Sequence, residues 1–116
     1  SQTFTLGKSF DTHCPFGPYI VTPDEVGDPH ALDLKTWVNG ELRQDSNTRH
    51  LVFDCFDQIA TLTQAFTLEP GDLILTGTPS GVGIGFKPKK FLRVGDKVRI
   101  EIENIGYIEN EVIAEP

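Results

Sequence analysis

Residues 67 to 85, TLEPGDLILTGTPSGVGIG, have the composition of a ligand-binding loop. Backbone N–H groups in a glycine-rich turn can converge on an anion such as a carboxylate. The segment is not a nucleotide loop, because Gly77 to Gly83 lacks the Lys-Thr or Lys-Ser ending of a Walker A motif and Pro88 discourages a following helix. The residues alone leave two interpretations open, a structural turn or a loop that binds a small anion.

A lysine and two thiols are further candidates for chemistry. Lys8, in the segment GKSFDT, lies close to apolar Phe10, and this setting favours a surface lysine whose stem covers apolar surface. The two cysteines, Cys14 and Cys55, have no C-x-x-C spacing, which predicts free and reduced thiols rather than a disulfide or a metal site. No cationic run adjoins Cys14, so we expect it to be buried and inert.

Acidic and imidazole side chains complete the candidates. Glu101 and Glu103 share one strand face and could converge on a cation. Their alternation with isoleucines is more typical of a half-exposed strand, so we favour a solvated face. The histidines His13, His30 and His50 share no ligand spacing, and each is predicted to be a surface or structural residue.

The elements that must position these residues are mainly strands. LDLKTWVNGELRQD alternates in polarity around Asn39-Gly40, a pair typical of a type I′ hairpin turn. Apolar residues between positions 51 and 66 recur at helical spacing and predict the one main helix. A single helical turn fits at Pro23, with Thr22 as its cap. Strands are expected in GPYIVT, in Leu73 to Leu75, which should run through the core, and on both sides of a turn at Asn104 to Gly106. The fold class is therefore α+β, mainly β.

Length and charge limit the partners. One domain suits 116 residues, and 38% apolar with 23% charged residues indicates a soluble globular protein. The net charge of −7 argues against nucleic-acid and anionic-membrane partners, which need a basic surface. No apolar run is long enough for a transmembrane helix, and the first ten residues do not resemble a signal peptide.

Four ordered motifs resemble the fumarylacetoacetate hydrolase family over nearly the whole chain. They are GKSFDTHCPFGPYIVT, WVNGELRQDSNT, LEPGDLILTGTPSGVG and VGDKVRIEIENIG. The likeness is greatest to the branch of acylpyruvate hydrolases, oxaloacetate decarboxylases and hydroxyheptadienedioate isomerases. It implies a mixed, rolled or barrel-like sheet, a homodimer, and a cytoplasmic enzyme, or a mitochondrial one in a eukaryote.

The resemblance also implies a chemistry. Family members hold Mg²⁺ or Mn²⁺, which grips a small anionic 2-oxo acid and polarises its keto group while a C–C bond is cleaved or a proton is moved. Cleavage of acylpyruvates or related 2-oxo acids is the leading expectation, with isomerisation or decarboxylation as the alternative. A third alternative, of another class, is a non-catalytic β-domain for assembly or ligand sensing.

Site residues follow from the resemblance position by position. Lys8 matches the family's catalytic and substrate-binding lysine, with Ser9 beside it. Gly77 and Thr78 match the substrate-binding backbone and hydroxyl. Thr12 matches a threonine in the outer environment of the metal.

The sequence also departs from the family pattern. The family's metal-binding E-x-E pair and further Asp precede the GKSFD motif, as does a His-Glu lid, and none of them occurs in residues 1–116. IEIE matches a later strand and not that pair. We therefore expect these residues to be the C-terminal part of a single catalytic domain, inactive on their own.

Overall fold

The computed structural model describes residues 4–116, and a four-stranded sheet is its main element. The strand order is β2-β1-β3-β4, and all three neighbouring pairs are antiparallel. The strands are β1 (Asp33–Val38), β2 (Glu41–Asn47), β3 (Lys97–Ile102) and β4 (Gly106–Glu111).

The hairpin of β1 and β2 forms where the sequence predicts it. Asn39 and Gly40 have φ values of 50° and 80°, as a type I′ turn requires at both central positions. The register shifts between Thr36 and Trp37, which lie opposite Gln44 and Leu42, so the extra residue of this bulge, Arg43, lies on β2. Strand β1 also pairs with β3, so it lies inside the sheet with a neighbour on either side.

The second hairpin joins β3 and β4 through the predicted turn. Asn104 adopts φ 59° there, and Ile105 N donates to the carbonyl of Ile102 over 3.1 Å. Asparagine tolerates this left-handed conformation better than most residues. The two strands run as the alternating pattern indicates.

Residues 4–116 also contain three helices and two short 3-10 turns. The helices are α1 (Phe4–Lys8), α2 (Pro23–Val26) and α3 (Cys55–Ala65), and the 3-10 turns are Thr48–His50 and Gly83–Gly85. Thr22 occupies the predicted cap position before α2, but its side chain makes no capping hydrogen bond. Helix α3 is the one main helix, but it begins later than position 51 because Asp54 caps it, accepting a hydrogen bond from Asp57 N at 2.8 Å. Within residues 4–116, no helix combines the length and apolarity needed to cross a membrane.

Two predicted strands are absent from the described part of the chain. The segments Gly17 to Thr22 and Leu73 to Leu75 have no regular structure, and Leu73 and Leu75 are exposed rather than in the core. A strand needs a hydrogen-bonded neighbour, and both segments lie outside the sheet pairings. The α+β, mainly β class is confirmed, whereas the described sheet is open and wholly antiparallel rather than mixed and barrel-like.

The core lies around β1. Among the described residues, Leu32 and Val38 are the buried apolar ones, and Thr36 and Asn47 are the buried polar ones. Asn47 is satisfied, because its amide donates to Asp33 Oδ1 at 2.9 Å and its Oδ1 accepts from a backbone N–H in the next turn. Both cysteines are free as predicted, but Cys14 is exposed, so its expected burial is wrong. Its segment has no regular structure, and burial depends on packing that local sequence does not determine.

Candidate functional site

A cavity of about 590 Å³ lies where the sheet, the 3-10 turn after β2 and the glycine-rich loop meet. Its lining combines apolar and polar residues, as in most small-molecule sites. The apolar residues are Leu34, Leu51, Val52, Phe53, Pro79 and Ile102; the others are Asn47, Thr48, His50, Gln58, Thr76, Gly77 and Thr78. The structure therefore places the predicted substrate-binding residues Gly77 and Thr78 side by side on a cavity wall.

The side chain of Gln44, on β2, holds the loop at Thr78. Its Nε2 donates to Thr78 Oγ1 at 2.8 Å and to the carbonyl oxygen of Pro79 at 3.0 Å. Gln44 is half-buried and lies 34 residues away along the chain. Sequence analysis did not identify it, since no local signal joins two residues at that separation.

Gly81 continues this attachment by close backbone approach. A Cβ atom on Gly81 would lie 2.0 Å from the carbonyl oxygen of Arg43, and its φ is 106°. In the same way, a Cβ atom on Gly83 would lie 2.1 Å from the carbonyl oxygen of Lys90. Only glycine fits at these two positions, because a real Cβ atom does not approach another atom so closely.

The far end of the loop is held by an aromatic and ionic cluster. The Phe86 ring lies 5.3 Å from Arg43 Cζ and 4.8 Å from Lys90 Nζ, within the range of cation–π attraction. Glu41 pairs with both cations, at 2.8 Å from Lys90 Nζ and 2.9 Å from Arg43 Nε. The hydrogen bond from Lys90, followed by the charge of Arg43, lowers the pKa of Glu41.

The Lys8 segment lies elsewhere. Lys8 ends α1 and is exposed, and the Ser9 hydroxyl donates to the carbonyl of Thr5. Ser9 and Thr12 line a second cavity, of about 670 Å³, together with the C-terminal residues 113–116. Thr12 adopts φ 67°. The structure thus brings Ser9 and Thr12 together, but the Gly77–Thr78 cavity contains no residue of their segment. The roles of Lys8, Ser9 and Thr12 stay predictions.

The three histidines have different environments. His30 is structural, because its Nε2 accepts from Cys55 N at 2.9 Å and its ring meets Phe56 edge-on at 5.1 Å. His13 is exposed beside Phe10. His50 lines the Gly77–Thr78 cavity and is the one titratable side chain among the residues that line it.

The described residues do not fit a metal ion by themselves. In the part of the chain that the structure describes, no three His, Cys, Asp or Glu side chains converge as metal ligands. The two acidic side chains of IEIE are engaged in the protein: Glu101 pairs with Arg99 at 2.8 Å, and Glu103 accepts from Asp33 N at 3.1 Å. The hydrogen bond that Arg99 donates to Glu101 raises the pKa of Arg99. Thr12 alone offers one neutral hydroxyl, which is a weak donor for Mg²⁺ or Mn²⁺.

Comparison with known proteins agrees with the motifs. Residues 1–113 match the family model described as fumarylacetoacetate (FAA) hydrolase C-terminal. A mitochondrial oxaloacetate tautomerase from Rattus norvegicus is 54% identical over 112 residues, covering 97% of this chain and 36% of the relative. An oxaloacetate tautomerase from Bacillus subtilis is 50% identical over 111 residues, covering 96% and 37%.

Solved structures show the same fold. A fumarylacetoacetate hydrolase from Exiguobacterium antarcticum superposes with a TM-score of 0.90 at 46% identity, over 95% of this chain and 39% of that one. A maleylpyruvate hydrolase from Sphingobium sp. SYK-6, in complex with manganese(II) and pyruvate, has a TM-score of 0.82 at 48% identity, over 90% and 37%. The chain therefore spans little more than a third of the proteins it matches.

Proposed function

The chain belongs to the fumarylacetoacetate hydrolase family, and on that premise we propose that the whole protein is an enzyme for small anionic 2-oxo acids. The observation that supports this most is the Gly77–Thr78 wall of the 590 Å³ cavity. A hydroxyl and a glycine backbone line the same cavity as six apolar residues. This arrangement suits a short organic acid with a polar head and a carbon chain.

The residues of this chain bind and orient the substrate. Thr78 Oγ1 donates a hydrogen bond to a carboxylate or keto oxygen, and Gly77 lets the backbone approach the ligand closely. Lys8 does not line this cavity in the described structure; the family resemblance implies that in the whole protein it supplies positive charge toward the oxygen on which negative charge develops as the substrate enolises. The apolar residues that line the cavity exclude water from the carbon chain of the substrate.

Keto–enol tautomerisation of an oxaloacetate-like acid is the first reaction we propose. It is supported by the two tautomerase relatives and needs no activated water. Hydrolytic C–C cleavage is the second, supported by the maleylpyruvate hydrolase structure. Tautomerisation removes a proton from the carbon next to the 2-oxo group and returns one through an enolate. In hydrolytic cleavage, water adds to the acyl carbonyl, the C–C bond breaks, and the 2-oxo acid leaves as an enolate that takes a proton at the same carbon. Both reactions thus pass through an enolate of a 2-oxo acid, so one binding site serves either.

We propose a divalent cation, Mg²⁺ or Mn²⁺, for the whole protein. The manganese and pyruvate held by the hydrolase relative support this. The carboxylate ligands of this cation would come from a part of the family's domain that this chain does not span. A homodimer stays a prediction, and the location of the rat relative supports a mitochondrial site for a eukaryotic protein.

The test uses the whole protein with oxaloacetate and with an acylpyruvate, before and after chelation and after readdition of Mg²⁺ or Mn²⁺. We expect metal-dependent turnover. T78V should lower kcat/KM by about tenfold or more, the effect of losing a hydrogen bond to a charged group. T78S, which keeps the hydroxyl, should stay near wild type, and K8M should lose activity. Unchanged turnover in both T78V and K8M would instead favour a non-catalytic domain for assembly or ligand sensing.

A further inference from the structure

We propose that Gln44 is a positioning residue that makes the Thr78 hydroxyl a hydrogen-bond donor into the cavity. This inference rests on the proposed function, because it specifies how Thr78 recognises the substrate. Gln44 does not line the cavity itself. It acts from β2, behind the loop.

The carbonyl of Pro79 determines which way the Gln44 amide faces. A carbonyl oxygen only accepts hydrogen bonds, so the atom 3.0 Å from it must be the amide nitrogen and not the amide oxygen. The Gln44 side chain has little freedom to rotate. Its Cγ lies 2.9 Å from the position that a Cβ on Gly81 would take, so the loop backbone covers it.

This orientation determines the direction of the Thr78 hydroxyl bond. The second N–H of the amide points at Thr78 Oγ1 over 2.8 Å, and the hydroxyl oxygen therefore accepts there. A hydroxyl that accepts in one direction places its own proton in another. Within residues 4–116 that proton has no protein acceptor, and Thr78 lines the cavity. The free proton is thus available to a ligand oxygen.

The consequence is selectivity for an acceptor ligand. Carboxylate and keto oxygens accept hydrogen bonds, and a bond from the hydroxyl to a charged oxygen is stronger than one between neutral groups. Polarisation of the hydroxyl by the Gln44 amide strengthens it further, because linked hydrogen bonds reinforce one another. Without Gln44, the Thr78 hydroxyl would be free to rotate and to donate its hydrogen bond to the carbonyl oxygen of Pro79 instead of to a ligand.

The experiment is a double-mutant cycle in the whole protein. Q44L removes the donor, T78V removes the hydroxyl, and T78S retains it. We expect Q44L to raise KM for the 2-oxo acid about tenfold with kcat within about twofold, since binding is lost equally in ground and transition states. The same factor should appear in the T78S background and vanish in the T78V background.

Two further variants separate this role from a general structural one. Q44E is close in shape but can only accept, so Thr78 would donate to it and the KM should rise more than in Q44L. Q64L, on an exposed glutamine of α3, should leave KM unchanged. A Q44L effect of equal size with and without the Thr78 hydroxyl would overturn the proposal, as would a Q44E variant with wild-type KM.

Calorimetric titration with pyruvate and Mn²⁺ separates this inference from the proposed function. Wild-type protein that binds pyruvate without turning over any 2-oxo acid would refute the proposed function alone. In that case the double-mutant cycle would be measured as the Kd for pyruvate in each variant, and we expect the same fold-changes in Kd as those given above for KM. Wild-type protein that binds no 2-oxo acid would overturn both.

Discussion

Asp96 joins two turns of the sheet through both oxygens of its carboxylate. Oδ1 accepts from Asn39 Nδ2 at 2.8 Å, and Oδ2 accepts from Arg93 N at the same distance. Asn39 in turn accepts from Lys97 N through its own Oδ1, at 2.9 Å. The bond from the Arg93 backbone, and then the bond from Asn39, lower the pKa of Asp96 because both favour the charged carboxylate.

This lowered pKa predicts a pH dependence of stability. A carboxyl whose pKa is lower in the folded state contributes stability above its unfolded pKa, and that contribution disappears as the pH falls through the folded pKa. D96N should therefore be less stable than wild type at neutral pH, and the difference should close in acid. Thermal unfolding of the whole protein across this range measures it. D45N, on an exposed aspartate of β2, is the matched control for removing one surface carboxylate and should change stability little.

At the scale of elements, the glycine-rich loop and β2 form one unit. Hydrogen bonds from Gln44 hold the loop at Thr78 and Pro79, and contacts of the Phe86 ring with Arg43 and Lys90 hold its far end. Between these two points, Gly81 lies so close to the β2 backbone that a Cβ atom on it would be 2.0 Å from the carbonyl oxygen of Arg43. The position of Thr78 therefore depends on how closely the loop approaches the strand.

Replacing Gly81 by alanine should displace the loop. The new Cβ would meet the Arg43 carbonyl oxygen, and φ 106° strains any residue with a side chain. We expect a loss of about 1–3 kcal/mol in the free energy of unfolding and a higher KM. Denaturant titration and steady-state kinetics measure both. G85A is the control in the same loop, because its Cβ would meet only Val82 Cγ2 at an ordinary 3.9 Å. Equal effects of the two changes would contradict this account.

At the scale of the whole molecule, most apolar residues remain exposed. Ile20 is 89% and Val52 is 88% accessible, whereas Leu32 and Val38 are the apolar residues buried in the described chain. Folding at this size depends on burying far more apolar surface. Since the chain spans little more than a third of the relatives described above, these faces are suited to contact the rest of a family member.

The 116 residues expressed alone should therefore behave unlike a folded domain. We expect binding of a hydrophobic dye, a broad unfolding transition and no tight binding of Mg²⁺ with oxalate, because the apolar faces are uncovered and the described residues contain no cluster of metal ligands. Dye fluorescence, thermal unfolding and calorimetry test this. The whole protein is the control. Micromolar ternary binding by the isolated chain would refute the expectation.

The sequence by itself determined what depends on neighbouring residues. Asn39-Gly40 specified the β1–β2 hairpin through its tolerance of positive φ, and helical spacing specified α3 apart from its first residue. The four motifs, which are also local, identified the family. The same local evidence failed at Leu73 to Leu75, because a run of strand-forming residues becomes a strand only when a neighbouring strand pairs with it.

Only the tertiary structure decided which distant residues meet. It placed Gln44 against Thr78 across 34 residues and brought His50 to the same cavity. It also left the segment with Ser9 and Thr12 on a different cavity. Turn and helix signals act within a few residues and can be read along the chain. Contacts between a strand and a loop depend on how the whole backbone packs, and no spacing in the sequence encodes that distance.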